Sequence, residues 1–101
     1  MGLDLTGYFN DKIMAVFTSR YVLFDKTPIL CVFHNTDGIW EFYGKEELTR
    51  DDDYKVISIE ELINLDLTIL ELSLMPPYCF AKRNAKNEPW EIHTETKAIK
   101  K

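Results

Sequence analysis

The stretch His34 to Gly44, HNTDGIWEFYG, constrains the fold more than any other part of the chain. Ahead of it, Ile29 to Phe33 (ILCVF) is a continuous apolar run. Such a run suits a strand buried on both faces, and its β-branched and aromatic residues favour a pleated surface. Asn35, Thr36, Asp37 and Gly38 then punctuate the chain. Asp-Gly between hydrophobic runs predicts a tight hairpin of the type I′ kind, because the glycine takes positive φ without a Cβ clash. Beyond the turn, strand periodicity puts Trp40 and Phe42 on one face and Ile39, Glu41 and Tyr43 on the other. Trp40 and Phe42 are expected to pack on the core.

The flanking sequence is read more coarsely. Residues 1–11 suit a short amphipathic helix or a strap over the core, and Lys12 to Ser19 fits a strand or a helix. Tyr21 to Phe24 reads as a short strand, with Asp25 to Pro28 as its turn. Lys45 to Lys55 is polar and reads as a surface loop centred on Asp51-Asp52-Asp53. Ser58-Ile59-Glu60-Glu61 fits a capping box opening a helix whose buried side is Leu62, Ile63 and Leu65. Asp66 can cap a second short helix that runs through Thr68, Ile69, Leu70 and Leu72 and that Pro76 and Pro77 end. Tyr78 to Arg83 alternates as a strand, and Pro89 to His93 returns as the last one. Residues 94–101 read as a frayed tail.

The motif resembles one found in a family of small, uncharacterised bacterial proteins. Pro28-Ile29 followed by His34, Asp37-Gly38, Trp40 and Phe42 matches the family's P-I-x-x-V-x-H-x-x-D-G-x-W-x-F stretch. Ile63-Asn64-Leu65-Asp66, Glu71-Leu72, Pro76, Ala81-Lys82-Arg83 and Trp90 extend the resemblance over roughly residues 16 to 91. One departure is Pro77-Tyr78-Cys79, where the family more often has a Gly-Trp turn. Related domains are loosely grouped with toxin-immunity proteins. The resemblance implies an interaction role and no catalytic residues.

Length and charge bound the function classes. At 101 residues the chain supports a single domain, with an ordered core expected over about residues 12–93. No apolar run approaches the roughly 20 residues needed to cross a bilayer. Asp4 and Asp11 lie where a secretory signal would be basic, and Met1-Gly2 with Thr6 is too weak a pattern to carry lipidation. Cys31 and Cys79 sit in apolar runs and read as free thiols of a cytoplasmic protein. From Asp37 to Glu71 eleven acids face three bases, a local charge of −8, whereas Lys82 to Lys101 carries +3. That density argues against nucleic acid and favours a basic protein partner through Glu46, Glu47, Asp51, Asp52, Asp53 and Tyr54.

Catalytic and metal chemistry lack a frame. His34 and His93 are the sole histidines, too few with the available spacing for a structural zinc site. The triple aspartate lacks the alternate spacing, central glycine and distal glutamate of an EF-hand. There is no nucleophile elbow and no phosphate-binding glycine loop, so no cofactor is expected.

The fold expected is α+β, an antiparallel sheet of about four to six strands with one or two short helices on one face. Its function is expected to be non-enzymatic, an immunity-type interaction with a basic protein, in a monomer or weak homodimer. The alternative is a small-ligand or hydrolytic pocket built from His34, Asp37 and Arg83 beside Trp40. That alternative requires His34 and Asp37 to point into an open concavity.

Overall fold

Six short strands form one sheet in a computed structural model that describes residues 7–94. They are β1 (Ala15–Ser19), β2 (Cys31–His34), β3 (Trp40–Tyr43), β4 (Tyr54–Ser58), β5 (Cys79–Lys82) and β6 (Glu91–Thr94), in the spatial order β4-β1-β3-β2-β5-β6. Two α-helices, α1 (Arg20–Asp25) and α2 (Ile59–Leu65), and 3-10 segments at Gly7–Phe9, Asp51–Asp53 and Leu67–Leu72 complete an α+β fold. The expectations for residues 1–6 and 95–101 lie outside the described residues.

The β2–β3 hairpin is the middle of the sheet, with His34 opposite Trp40 and Val32 opposite Phe42. Its turn differs from the two-residue type I′ expectation. Gly38 N–H donates to Asn35 O, Asn35 N–H donates to Ile39 O, and Gly38 alone in the hairpin takes positive φ, +90°. That is a three-residue loop ending in a left-handed glycine, the arrangement that adds a bulge. The sheet is also mixed rather than wholly antiparallel. β1 runs parallel to β3, with Phe17 beside Glu41 and Thr18 beside Phe42, while the other four pairings are antiparallel. The chain reverses twice between them, through α1 into β2 and again at the hairpin, so β3 inserts between β1 and β2 and runs parallel to β1.

Two local readings are corrected. Tyr21 to Phe24 is not a strand but lies within α1. Ser19 Oγ accepts from Val22 N–H at 3.1 Å, and Lys26 closes the helix at φ 59°, its N–H donating to Tyr21 O. A four-residue apolar stretch cannot declare its own period, and the caps on either side decide it. The polar loop also ends sooner than expected. Tyr54 to Ser58 pairs along its full length with β1 as an edge strand.

Of the capping box expected at residue 58 the Ser58 half forms, without a return bond from the Glu61 carboxylate, and the expected cap at Asp66 forms too. Ser58 Oγ accepts from Glu61 N–H at 3.1 Å, and Asp66 Oδ1 accepts from Thr68 N–H at 3.0 Å. α2 and the Leu67–Leu72 segment lay Ile59, Leu62, Ile63, Ile69 and Leu72 on the sheet, against Val16, Val32, Trp40, Phe42 and Ala81. Each such side chain contributes about 1.5–3 kcal/mol when fully buried. The core reaches further toward the N-terminus than the expected start at residue 12. Gly7, at φ +60°, sits so close to the Ser73 carbonyl that a Cβ would collide with it. The short turn that follows drives Phe9 against Trp40, ring centroids 4.8 Å apart.

Strand alternation therefore sorts the sheet into two faces. Val16, Thr18, Val32, His34, Trp40, Phe42 and Ala81 are buried beneath the helices. Phe17, Cys31, Phe33, Glu41, Tyr43 and Phe80 are half-buried on the opposite face, and Val56 and Tyr54 are exposed there. Of the residues on that face only Ser19, the cap of α1, is buried. Among the described residues the outer face is open.

Candidate functional site

His34 and Asp37 part company at the hairpin. His34 is 3% exposed, its ring stacked on Trp40 at 3.9 Å and met edge-on by Tyr8 at 4.7 Å. Its Nδ1 lies 2.7 Å from Met75 O. A carbonyl can only accept, so Nδ1 carries the proton and the ring ties β2 to the segment after Leu72. Burial lowers the His34 pKa, against a smaller opposing pull from the Met75 and Pro76 carbonyls. Asp37 is exposed at the tip, and its Oδ1 accepts from Ile39 N–H at 3.1 Å. It serves the turn. Trp40 fills the core, 1% exposed.

Arg83 stands at the other end of β2. Its N–H donates to Leu30 O, four residues before His34, which is about 13 Å along a strand. Its guanidinium is consumed internally. Nη2 donates to Asp66 Oδ2 at 2.8 Å, Nη1 to Thr68 Oγ1 at 2.9 Å and Nε to Ile29 O at 3.1 Å, and Trp90 covers it at 3.9 Å. The ion pair is fully enclosed, the two side chains 0% and 5% exposed. His34, Asp37 and Arg83 therefore share no cleft, and the open concavity that a ligand or hydrolytic pocket requires of His34 and Asp37 is not formed. Among the described residues no cluster of three or more His, Cys, Asp or Glu could hold a metal ion, and no helix is long and apolar enough to cross a membrane.

The acidic segment divides into structural and surface groups. Asp53 is buried. Its Oδ1 accepts from Arg20 Nε at 2.8 Å, and its Oδ2 accepts from the Thr49 and Arg50 amides at 3.0 and 3.1 Å. The Arg20 hydrogen bond, with help from the two amides, holds the Asp53 carboxyl below its ordinary range despite desolvation. Asp53 is thus the clamp of the loop and not part of its contact surface, a correction to its place among the interface residues. Glu46 is half-buried and accepts from Thr27 Oγ1 at 3.4 Å. Glu47, Asp51 and Asp52 remain exposed, with Asp52 lightly paired to Arg50.

This segment joins the open face. It leaves the sheet after Tyr43 and returns at Tyr54, whose rings meet edge-on at 6.1 Å. Tyr43 Oη donates to Glu41 Oε1 at 2.6 Å, and burial together with that carboxylate pushes the phenol well above its ordinary range. Asn35 Nδ2 donates to Glu41 Oε2 at 2.6 Å. Toward β6, Phe33 and Phe80 lie 6.0 Å apart and Phe80 stacks on His93 at 5.1 Å. Of these residues Tyr43 and Tyr54 stood out in the sequence as contact candidates, by their aromatic character. The alternation of Glu41 and Tyr43 with Trp40 and Phe42 was the available signal, but it acquires meaning only once α2 and the Leu67–Leu72 segment are found on the other side.

No protein-family model, curated protein or solved structure matches this chain.

Proposed function

We propose that this domain acts by binding and not by catalysis. It docks a basic protein partner on the open sheet face and on Glu47, Asp51 and Asp52 at its Tyr43–Tyr54 end, in an immunity-type role in the cytoplasm. The observation that carries this reading is the outer face itself, on which Phe17, Phe33, Tyr43 and Phe80 are half-buried and Tyr54 is exposed, with the exposed acids Glu47, Asp51 and Asp52 on the segment that leads into Tyr54. Tyrosine, phenylalanine and tryptophan supply rigid contact area that anchors interfaces, and surface charges steer and select the partner. Asp53 and Asp66 are paired internally with Arg20 and Arg83, and the nine other acids between Asp37 and Glu71, against three bases, support a basic partner over an acidic one. The loose resemblance to immunity-grouped domains points the same way, and the free thiols of Cys31 and Cys79 suit a reducing compartment.

Affinity capture with the wild-type chain and with an Asp51→Asn/Asp52→Asn/Tyr54→Ala variant tests the reading. A basic protein retained by the wild type, released as salt is raised and held more weakly by the variant is the expected result. Retention of no basic protein, or retention insensitive to the three substitutions, contradicts it.

A further inference from the structure

Glu41 lies near the centre of the open face, and its surroundings are unusual for a carboxylate. Its lateral neighbours are Phe17 on β1 and Phe33 on β2, each in register with it, and Tyr43 follows on the same face of β3. The outward residues of the four strands β4, β1, β3 and β2 include Tyr54, Val56, Ala15, Phe17, Tyr43, Cys31 and Phe33. Glu41 is the one charged side chain among them. It is half-buried, yet among the described residues no Lys, Arg or His nitrogen lies within ion-pair distance of it. The nearest basic strand residue on this face, Lys82, is one strand beyond, opposite Cys31 and Glu91.

Its two hydrogen bonds come from neutral donors, one to each oxygen, the Tyr43 hydroxyl and the Asn35 amide. They fix the carboxylate and leave a lone pair free on each oxygen, since a carboxylate offers about four acceptor sites. A fixed anion between two phenyl rings is a receptor for a cation. The charge attracts it, and each ring face adds a cation–π contribution. A planar guanidinium suits the site better than an ammonium, because it can stack on an aromatic face while donating two parallel hydrogen bonds to one carboxylate.

We propose that Glu41, flanked by Phe17 and Phe33, is the anchor site for an arginine side chain of the partner. The inference rests on the docking reading above and moves its centre from the acidic loop to the middle of the sheet. The loop acids then act as a steering rim, and the arginine seated on Glu41 carries the short-range affinity.

Amide chemical-shift mapping with Nα-acetyl-arginine amide as the probe tests this, with the citrulline and lysine counterparts as controls. Citrulline keeps the shape of arginine and removes its charge. The expected result is a saturable shift confined to the amides around Phe17, Phe33, Glu41 and Tyr43, with arginine stronger than lysine and citrulline silent. Glu41→Gln keeps the volume and an acceptor for Tyr43, and should weaken arginine binding about tenfold or more, the scale of a charge-assisted hydrogen bond. Phe33→Leu should weaken it while leaving the protein folded and Glu41 charged. An equal response to citrulline, shifts centred on Asp51 and Asp52, no shift at all, or unchanged binding by Glu41→Gln each overturn the proposal. A captured basic partner separates the two levels. Loss of capture with Asp51→Asn/Asp52→Asn/Tyr54→Ala and none with Glu41→Gln leaves the docking reading standing and removes the arginine anchor.

Discussion

Arg83 and Asp66 form a buried ion pair at 2.8 Å. The pair joins the end of β5 to the turn between α2 and the 3-10 segment, 17 residues apart in sequence. Every nitrogen of the guanidinium has an acceptor, and the Trp90 ring lies over its face. The arrangement explains why a charged residue is tolerated under the helices: the cost of desolvation is offset by the carboxylate and by a hydrogen bond from each guanidinium nitrogen.

Breaking that pair from one side leaves a buried carboxylate alone. Arg83→Met should therefore cost about 3–5 kcal/mol of folding stability. Arg83→Lys should rescue little of it, since an ammonium cannot span Ile29 O, Thr68 Oγ1 and Asp66 together. Urea denaturation of the two variants measures both. A loss below 1 kcal/mol for either would mean that the site relaxes or admits water.

His34 should make stability depend on pH near neutrality. Its folded pKa lies below the ordinary 6.5, so between the two values the unfolded chain binds more protons than the folded one. Stability is then complete above about pH 6.5 and falls as pH drops through that window toward the folded pKa. Denaturation midpoints measured from pH 7.5 downward should show this decline, and His34→Gln should flatten it. An unchanged slope in the variant would assign the effect to another group.

Asp53 titrates in a different range. Its carboxyl is held below the ordinary value, so its contribution is present above about pH 4 and is lost as pH falls through the folded pKa. Asp53→Asn should destabilise the protein at neutral pH and loosen the 45–53 segment, seen as faster amide exchange at Thr49 and Arg50. Asp52→Asn removes only an exposed pair and should stay within about 1 kcal/mol of wild type. Equal effects from the two would contradict the division into clamp and rim.

The hairpin glycine is a smaller test. A Cβ at Gly38 meets nothing within 4 Å, so Gly38→Ala isolates the backbone term at φ +90°. It should cost about 1 kcal/mol or somewhat more, by the strain of a left-handed conformation for an L-residue. A neutral result in thermal denaturation would indicate that the loop rearranges.

What was legible in the sequence is what local chemistry decides. Asp37-Gly38 and the alternation through Tyr43 located the central hairpin, and Ser58 and Asp66 cap the two helical segments expected of them. Where two periods fit equally, tertiary context chose. Tyr21 to Phe24 became helical because Ser19 and Lys26 close both ends, and Tyr54 to Ser58 became a strand because β1 offered a free edge. Partners far apart in sequence were hidden. Arg83 carries no local mark of Asp66, nor Asp53 of Arg20, and residue type alone placed both in candidate sites when their role is to hold the fold. Glu41 escaped notice for the converse reason, since an outward carboxylate on a strand looks ordinary until the strand proves central and its face open among the described residues.

In the proposed reading the sheet face that is open among the described residues, and not the His34–Asp37 hairpin, is the working surface. Amide chemical-shift mapping of the labelled chain bound to its captured partner tests it most directly. The account predicts perturbations concentrated on Phe17, Phe33, Glu41, Tyr43 and Tyr54, spreading to Asp51 and Asp52. Perturbations centred instead on His34, Asp37 and Met75 would contradict it and return the function to the end of the sheet where His34 is now enclosed.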